Sequence, residues 1–197
     1  MLIVFQLDVP VGAWLERKGR VVVPRPERCP ACRHGRLTFA GWRPRVTRWG
    51  KVWLQRVRCG RADAHEDGQD KTHSLVPNVL VSGRMDLATV IGWALEANAA
   101  GLGWRRIAGR LGEQLLSPST VRRWLRAARD RGPWVAGRLL ADAAAADPSS
   151  RAPPGGGPVA MVVAAATAAA AAFTVLSGET TSRWRHAVVV TGGRLLW

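Results

Sequence analysis

Three cysteines and the histidines near them are the residues whose types and spacing suit metal chemistry. Cys29 and Cys32 form a C-x-x-C pair, and the turn between them lets two thiolates reach one tetrahedral ion. Cys59 is the third thiol, and a complete zinc ribbon would continue into a second C-x-x-C, so the fourth ligand must come from elsewhere. The nearest candidate is His65. The alternatives are His34, His73 and the carboxylates of Asp63, Glu66, Asp67 and Asp70.

The residues between Cys32 and Cys59 are expected to form the β-hairpin that carries the two halves of this site. The stretch 51–58 alternates polar and apolar residues, which is the pattern of a half-buried strand. A hairpin that rises from one cysteine turn and returns to another is the plan of a zinc ribbon. The sequence therefore predicts Zn²⁺ as the cofactor, with Cys29, Cys32, Cys59 and His65 as ligands. The alternative is a plain hydrophobic hairpin that retains three thiols.

A second chemical feature is a row of arginines in the stretch 117–131. The apolar residues of this stretch recur at helical spacing, namely Val121, Trp124, Leu125 and Ala128. The run 117–120 supplies hydroxyl groups and a proline, both of which favour a helix start. Arginine on the other faces can fork onto guanine O6 and N7 or onto phosphate oxygens. The predicted DNA-contacting residues are Arg105, Arg106, Ser119, Thr120, Arg122, Arg123, Arg126 and Arg129.

Two shorter helices are expected to hold this basic helix in place. The first, 87–99, has apolar residues at i, i+3, i+4, i+7 and i+8, and the second, 104–111, ends at Gly112. With the basic helix they predict a helix-turn-helix domain over 83–146, whose third helix reads the major groove. The alternative is an ordinary three-helix bundle with a solvated charged face.

These elements predict an α+β fold, in which a small β unit precedes a mainly helical region. We expect five segments: an N-terminal strand and helix (1–23), a zinc-ribbon-like domain (24–82), the helix-turn-helix domain (83–146), a flexible Pro/Gly linker (147–158), and an Ala-rich helix with a C-terminal tail (159–197). The end of the tail, 183–185 together with 188–197, is expected to form a small hairpin or cap.

Composition restricts the partners and the compartment. The chain of 197 residues has 29 Lys and Arg against 14 Asp and Glu, a net charge of +15, so a polyanion is the expected partner. Three cysteines are too few for a disulfide framework, and the apolar N-terminus lacks the basic region of a signal peptide. We therefore expect a cytoplasmic protein. The uncharged stretch 159–176 has the length of a membrane span, but its abundant Ala favours a packing or oligomerising helix.

Several short motifs occur in a recognisable order. They are Pro-Arg-Pro (24–26), Cys-Pro-x-Cys (29–32), Arg-Cys (58–59), Thr-His-Ser-Leu-Val-Pro (72–77) and Thr-Val-Arg-Arg-Trp-Leu-Arg (120–126). In this order the chain resembles a poorly characterised bacterial family with an N-terminal zinc ribbon followed by a homeodomain-like helix-turn-helix, a layout similar to the DNA-binding front ends of transposases. The resemblance implies zinc at the three cysteines and base contacts from the helix beginning near Ser119. Ala62 stands where that family has a further cysteine.

DNA binding is the favoured function, either in transcription regulation or as an accessory factor of a mobile element. The expected partner is double-stranded DNA, and the Ala-rich C-terminal helices could join two copies of the chain. We do not expect an enzyme, because metal-dependent strand transfer needs clustered carboxylates. The chain after Arg131 offers only Asp142, Asp147 and Glu179. The alternative is an RNA-binding or protein-interaction zinc-ribbon module without sequence-specific DNA reading.

Overall fold

The computed structural model describes residues 2–23, 25–65, 71–112, 116–151, 156–177 and 182–195. The chain forms two compact units, Met1–Pro77 and Asn78–Trp197, called here the N-terminal unit and the C-terminal unit. Among the described residues, the first contains a four-stranded sheet and one helix, and the second contains five helices. The predicted α+β class is confirmed at this level.

The five predicted segments are grouped differently in the two units. Residues 1–23 share the N-terminal unit with most of the predicted ribbon domain, because a strand from the first segment is part of the same sheet. The three predicted segments beyond residue 82 share the C-terminal unit. Of the predicted linker, residues 152–155 lie outside the described residues.

The N-terminal unit is built on a sheet of order β1-β4-β3-β2. Its elements are β1 (Leu2–Phe5), α1 (Val11–Glu16), β2 (Leu37–Thr47), β3 (Gly50–Cys59) and β4 (Thr72–Pro77). β1 runs parallel to β4, whereas β3 is antiparallel to both β2 and β4. A short 3₁₀ helix, Ala62–Ala64, follows β3. The sheet therefore brings the end of β3 and the start of β4 side by side.

The predicted hairpin is present as β2 and β3, with one irregularity. Phe39 lies opposite Val57 and Trp42 lies opposite Gln55, so β2 carries an extra residue between these pairs. Gly41, at φ +90°, supplies the backbone conformation that this bulge requires. Because the bulge shifts the alternation of β2, Phe39 and Trp42 lie on the same face of the sheet.

The core of the N-terminal unit includes two of the predicted metal ligands. Cys29 and Cys59 are fully buried, and they pack with Val23, Leu37, Val57 and Leu75. Ile3 of β1 and Cys32 are partly buried at the edge of the same cluster. The thiols are thus held by the hydrophobic core itself, with little freedom to move apart.

The C-terminal unit contains α2 (Ala88–Ala99), α3 (Trp104–Leu111), α4 (Pro118–Ala146), α5 (Pro158–Ser177) and α6 (Arg183–Val190). The predicted bounds of α3 are confirmed, and Gly112 follows it at φ +89°. The start of α4 is confirmed as well, with Ser117 as its N-cap. α4 then continues through Pro133 to Ala146 as one helix. Residues 113–115 of the predicted turn lie outside the described residues.

The Ala-rich helix α5 packs against α2, α4 and α6. Its buried positions are mostly alanines, which let helix axes approach closely, and Gly132 of α4 lies against Pro158 at the start of α5. Among the described residues, α5 is the one helix long and apolar enough to cross a membrane. Its mean hydropathy over 18 residues is 2.2, and 39% of these residues are buried within the protein.

The predicted C-terminal hairpin is wrong, because residues 183–190 form α6. β-branched Val188–Val190 favour strands in isolation, but tertiary packing decides the outcome here. Trp184, Ala187 and Val188 are buried, and α6 contacts α2, α4 and α5. Residues 196 and 197 lie outside the described residues.

Candidate metal centre and candidate nucleic-acid interface

The C-x-x-C turn is closed by three backbone donors. The Arg33 N–H donates to the Cys29 carbonyl at 2.7 Å, and the Cys29 N–H donates to the Gly35 carbonyl at 2.8 Å. The Gly35 N–H donates to the Cys32 Sγ at 3.3 Å. This last bond favours the negatively charged form of the sulfur, which is the form that binds a metal. The turn is therefore a preformed knuckle and requires no rearrangement to present both sulfurs.

β3 brings the third thiol to this knuckle. Cys59 ends the strand opposite Leu37, and the next N–H, of Gly60, donates to the Arg36 carbonyl at 3.1 Å. The Sγ atoms of Cys32 and Cys59 lie 3.7 Å apart. Two thiolates bound to one tetrahedral zinc at about 2.3 Å would be about 3.8 Å apart. The spacing of these two sulfurs therefore fits a shared zinc ion.

His65 completes the group. One ring nitrogen of His65 and the sulfurs of Cys29, Cys32 and Cys59 all lie within 4.8 Å of one another. The side chain is 7% exposed, and its Nε2 is buried with no hydrogen-bond partner among the described residues. A buried imidazole nitrogen without a partner is costly unless a metal or a donor satisfies it. The four predicted ligands thus form a possible metal site whose donor set suits zinc.

His73, the alternative ligand, occupies a different position beside the same site. Its Nε2 lies 3.2 Å from the Cys29 Sγ, and the residue is fully buried on β4. Burial lowers the pKa of His73, and the nearby His65 acts in the same direction. A neutral His73 with its proton on Nε2 donates to the Cys29 sulfur, which is the role of a supporting partner to a ligand.

Two of the remaining alternatives, His34 and Asp63, are not brought to the thiols. His34 is exposed, and Asp63 is exposed and paired with Arg61 at 2.6 Å. Neither residue belongs to the cluster of possible ligands. Glu66, Asp67 and Asp70 lie outside the described residues.

The environments of two thiols separate their acidities. The Gly35 N–H is the main cause that lowers the pKa of Cys32 to about 7. Burial raises the pKa of Cys59 to about 11. Of these two thiols, the half-buried Cys32 is therefore the more nucleophilic in the metal-free protein near neutral pH.

The predicted two-faced character of α4 is confirmed in the C-terminal unit. Val121, Trp124, Leu125 and Ala128 are each at most 2% exposed. The four arginines of α4 that were predicted to contact DNA are exposed. They are Arg122, Arg123, Arg126 and Arg129. The arginine face is therefore open to a polyanion, while the opposite face anchors the helix in the core.

Trp104 joins the basic starts of α3 and α4, a role that sequence reasoning missed. The guanidinium of Arg105 lies 4.7 Å from the centre of the indole ring, and that of Arg122 lies 6.0 Å from it. Cation–π contacts at these distances hold two positive side chains beside one rigid ring. The adjacent residues Trp-Arg-Arg at 104–106 are the sequence feature from which this cation–π contact could have been predicted.

The N-cap of α4 fixes a third arginine. The Ser117 Oγ accepts from the Thr120 N–H at 3.3 Å and lies 2.9 Å from the Thr120 Oγ1. The same Thr120 Oγ1 accepts from Arg123 Nη2 at 3.3 Å. Thr120 therefore orients Arg123, whereas Ser119 is exposed at the helix start. Burial and the nearby Arg123 lower the pKa of Arg84, and the neighbouring Asp86 acts in the opposite direction.

The described carboxylates that follow Arg131 make structural contacts. Asp142 Oδ2 lies 2.8 Å from His186 Nε2, which connects α4 to α6. Asp147 accepts from the backbone and side chain of Ser149 at the end of α4. Glu179 lies outside the described residues. The two described carboxylates thus have roles in helix packing and in ending a helix.

No protein-family model, curated protein or solved structure matches this chain. The thiol–histidine cluster and the arginine face of α4 are therefore the features that indicate a function.

Proposed function

We propose that this protein binds double-stranded DNA through the helix-turn-helix formed by α2, α3 and α4. The observation that carries the proposal is the exposed arginine row on α4, a helix whose other face is buried. A helix anchored in this way can lie in the major groove and present its first turns to base edges. The net charge of +15 provides the accompanying long-range attraction to phosphate.

The arginines divide into two groups by their position. Arg122, Arg123 and Arg126, with Ser119, lie in the first turns of α4 and approach base edges. Arg105 and Arg106 at the start of α3, and Arg129 further along α4, contact phosphates. Thr120 acts by orienting Arg123, given the hydrogen bond between these two side chains.

Zinc in the N-terminal unit would have a structural role. Cys29, Cys32, Cys59 and His65 would supply four protein ligands, which leaves no open position for substrate. A site of this kind stabilises the fold, because metal binding is linked to the assembly of its ligands. His73 would hold the Cys29 sulfur in place. We accordingly propose a binding protein and no catalytic activity.

The biological setting follows from the same proposal. A cytoplasmic transcription regulator, or an accessory factor of a mobile element, would use both the basic helix and a zinc-stabilised unit. The resemblance to bacterial proteins with a zinc ribbon before a homeodomain-like domain agrees with this setting. Two copies of the chain would bind a two-fold symmetric site, as many helix-turn-helix proteins do.

The test is a selection of bound sequences from a random duplex library at about 0.15 M salt. The full chain is compared with an Arg122→Ala/Arg123→Ala variant. The matched control is Arg131→Ala/Arg138→Ala, which removes the same charge from exposed positions further along α4.

Enrichment of one motif by the full chain and the control, but not by Arg122→Ala/Arg123→Ala, is the expected result. Retention of DNA without any motif would reject sequence-specific reading. Equal loss in both double variants would assign binding to net charge alone.

A further inference from the structure

Two neighbouring pockets in the N-terminal unit have complementary chemistry. One has a volume of about 700 Å³ and is lined by four arginines together with His34 and Glu27. The other has a volume of about 590 Å³ and is lined mainly by apolar and aromatic residues. Arg25 lines both pockets. Volumes of this size are typical of small-ligand sites, and the shared residue makes the two pockets neighbours.

The apolar pocket presents an open aromatic pair. Phe39 is 53% exposed, and its ring lies edge-on to Trp42 with the centroids 6.0 Å apart. The bulge at Gly41 places both rings on this face, and Val22, 82% exposed, borders them. Leaving so much apolar surface in water is unfavourable. The rings are thus available to stack on a flat partner.

The pocket lined by arginines supplies positive charge beside the aromatic pair. Arg25, Arg28 and Arg36 are exposed, while Arg61 is already paired with Asp63. Backbone pairing places Arg28 opposite Arg36, on either side of the knuckle that begins at Cys29. Guanidinium groups held in this way match the oxygens of a phosphate. Glu27 is the one carboxylate among the residues that line this pocket.

We propose that these two pockets bind single-stranded nucleic acid, with an unpaired base on Phe39 and Trp42 and its phosphates on Arg25, Arg28 and Arg36. An aromatic ring beside a basic groove is the combination by which proteins hold unpaired strands. A paired base in a duplex could not reach the rings, because its faces are covered by its neighbours. None of the residues that line these pockets belongs to α4, and the site does not depend on the duplex-reading proposal.

Other aromatic residues of the hairpin provide internal controls. Trp53 is covered by Arg20, whose guanidinium lies 5.1 Å from the ring centre. Trp49 is 42% exposed but lines neither pocket, so it matches Phe39 in exposure and differs in location. Arg17 is exposed and also lies outside both pockets, which makes it the match for Arg28.

The experiment measures affinity by fluorescence anisotropy with four labelled probes. They are oligo-dT and oligo-rU of about ten nucleotides, a DNA duplex of the same length, and polyphosphate, which has the charge without bases. The full chain is compared with Phe39→Ala, Trp49→Ala, Arg28→Ala and Arg17→Ala. Circular dichroism checks that each variant is folded.

We expect Phe39→Ala to weaken binding of a single strand about five- to hundredfold, the usual effect of losing one stacked base. Its affinities for duplex and for polyphosphate should not change. Arg28→Ala should weaken single-strand and polyphosphate binding more than Arg17→Ala does. A stronger effect on oligo-dT or on oligo-rU identifies DNA or RNA as the natural source of the strand.

The proposal is overturned if Phe39→Ala changes single-strand binding no more than Trp49→Ala does, because stacking would then be absent. It is also overturned if Phe39→Ala weakens duplex and polyphosphate binding equally. The Arg122→Ala/Arg123→Ala variant should no longer select a duplex sequence motif but should still bind a single strand. This result would show that the two sites act separately.

Discussion

Gly35 lies directly against the Sγ of Cys59, so closely that a Cβ atom at position 35 would overlap the sulfur. The same residue donates its N–H to the Cys32 Sγ and accepts from the Cys29 N–H. One small residue thus contacts all three cysteines. At position 35 the backbone of the knuckle meets the end of β3, and no side chain fits between them.

The first prediction is that Gly35→Ala abolishes or strongly weakens zinc binding, because the methyl group displaces Cys59 from the knuckle. Zinc content and competition with a chelator measure the effect. The matched control is Gly60→Ala, since a Cβ at position 60 would meet only the Arg36 carbonyl, at an ordinary 3.7 Å. Equal zinc affinity in the two variants would contradict the described packing.

The second prediction separates the two buried histidines. His65→Ala removes a ligand and should lose zinc almost completely, whereas His73→Ala removes a supporting hydrogen bond and should weaken binding about 10- to 100-fold. Exposed His34→Ala should have no effect. Chelator competition on each purified variant gives the affinities. The opposite ranking of His65 and His73 would make His73 the fourth ligand.

The third prediction concerns the metal-free protein and its thiols. Since the pKa of Cys32 is lowered to about 7, its thiolate fraction rises through neutral pH, and alkylation should accelerate with a midpoint near that pH. Cys59, with its pKa raised to about 11, should remain protonated and slow over the same range. Timed iodoacetamide labelling with peptide mass spectrometry measures both. Equal rates at neutral pH would count against the Gly35–Cys32 bond, and added zinc should protect both thiols.

The fourth prediction is the salt dependence of duplex binding. If about six phosphates are neutralised, log affinity should fall with log salt at a slope near −5. Arg105→Ala/Arg106→Ala should reduce this slope by about two, because both side chains are assigned to phosphates. Titrations at several salt concentrations give the slope, and Arg131→Ala/Arg138→Ala should leave it nearly unchanged. A wild-type slope close to zero would exclude phosphate contact by these helices.

The fifth prediction tests how α6 is held in the C-terminal unit. Gly92 of α2 lies against the Trp184 ring, and a Cβ at position 92 would overlap it. Gly92→Ala should lower the free energy of unfolding by about 1–3 kcal/mol, the usual range for overpacking. Gly137→Ala, at an open position of α4, should instead raise it by up to about 1 kcal/mol. Denaturant melts followed by helical circular dichroism test both signs.

Locally encoded features of this fold were predictable from the sequence. The bounds of α3 follow from Trp104, Gly112 and the apolar period between them, and Ser117 marks the start of α4. The cysteine turn depends on adjacent residues in the same way. In each case the interactions that decide the structure lie within a few positions of one another.

Features fixed by distant contacts were not predictable. β4 and its parallel pairing with β1 depend on residues far apart in the chain, Leu2 opposite Ser74, and no local pattern records such a register. His73 lies opposite Val57 of β3, and this pairing of β4 likewise joins distant parts of the chain and accompanies the contact of His73 with Cys29. The helical state of Val188–Val190 likewise depends on the fit of Trp184 against Gly92, which overrides the preference of valine for strands.

The parallel pairing of β1 with β4 also determines the order in which parts of the sheet can form during synthesis. During synthesis, β1 has no partner in the sheet until Thr72–Pro77 has left the ribosome. The hairpin of β2 and β3, which ends at Cys59, and the knuckle with Cys29 and Cys32 that precedes it are complete earlier and close through shorter loops, which form sooner. A chain that ends before residue 72 therefore leaves β1 without its partner in the sheet. Release of β4 would close the sheet and bring His73 to Cys29 in a single late step.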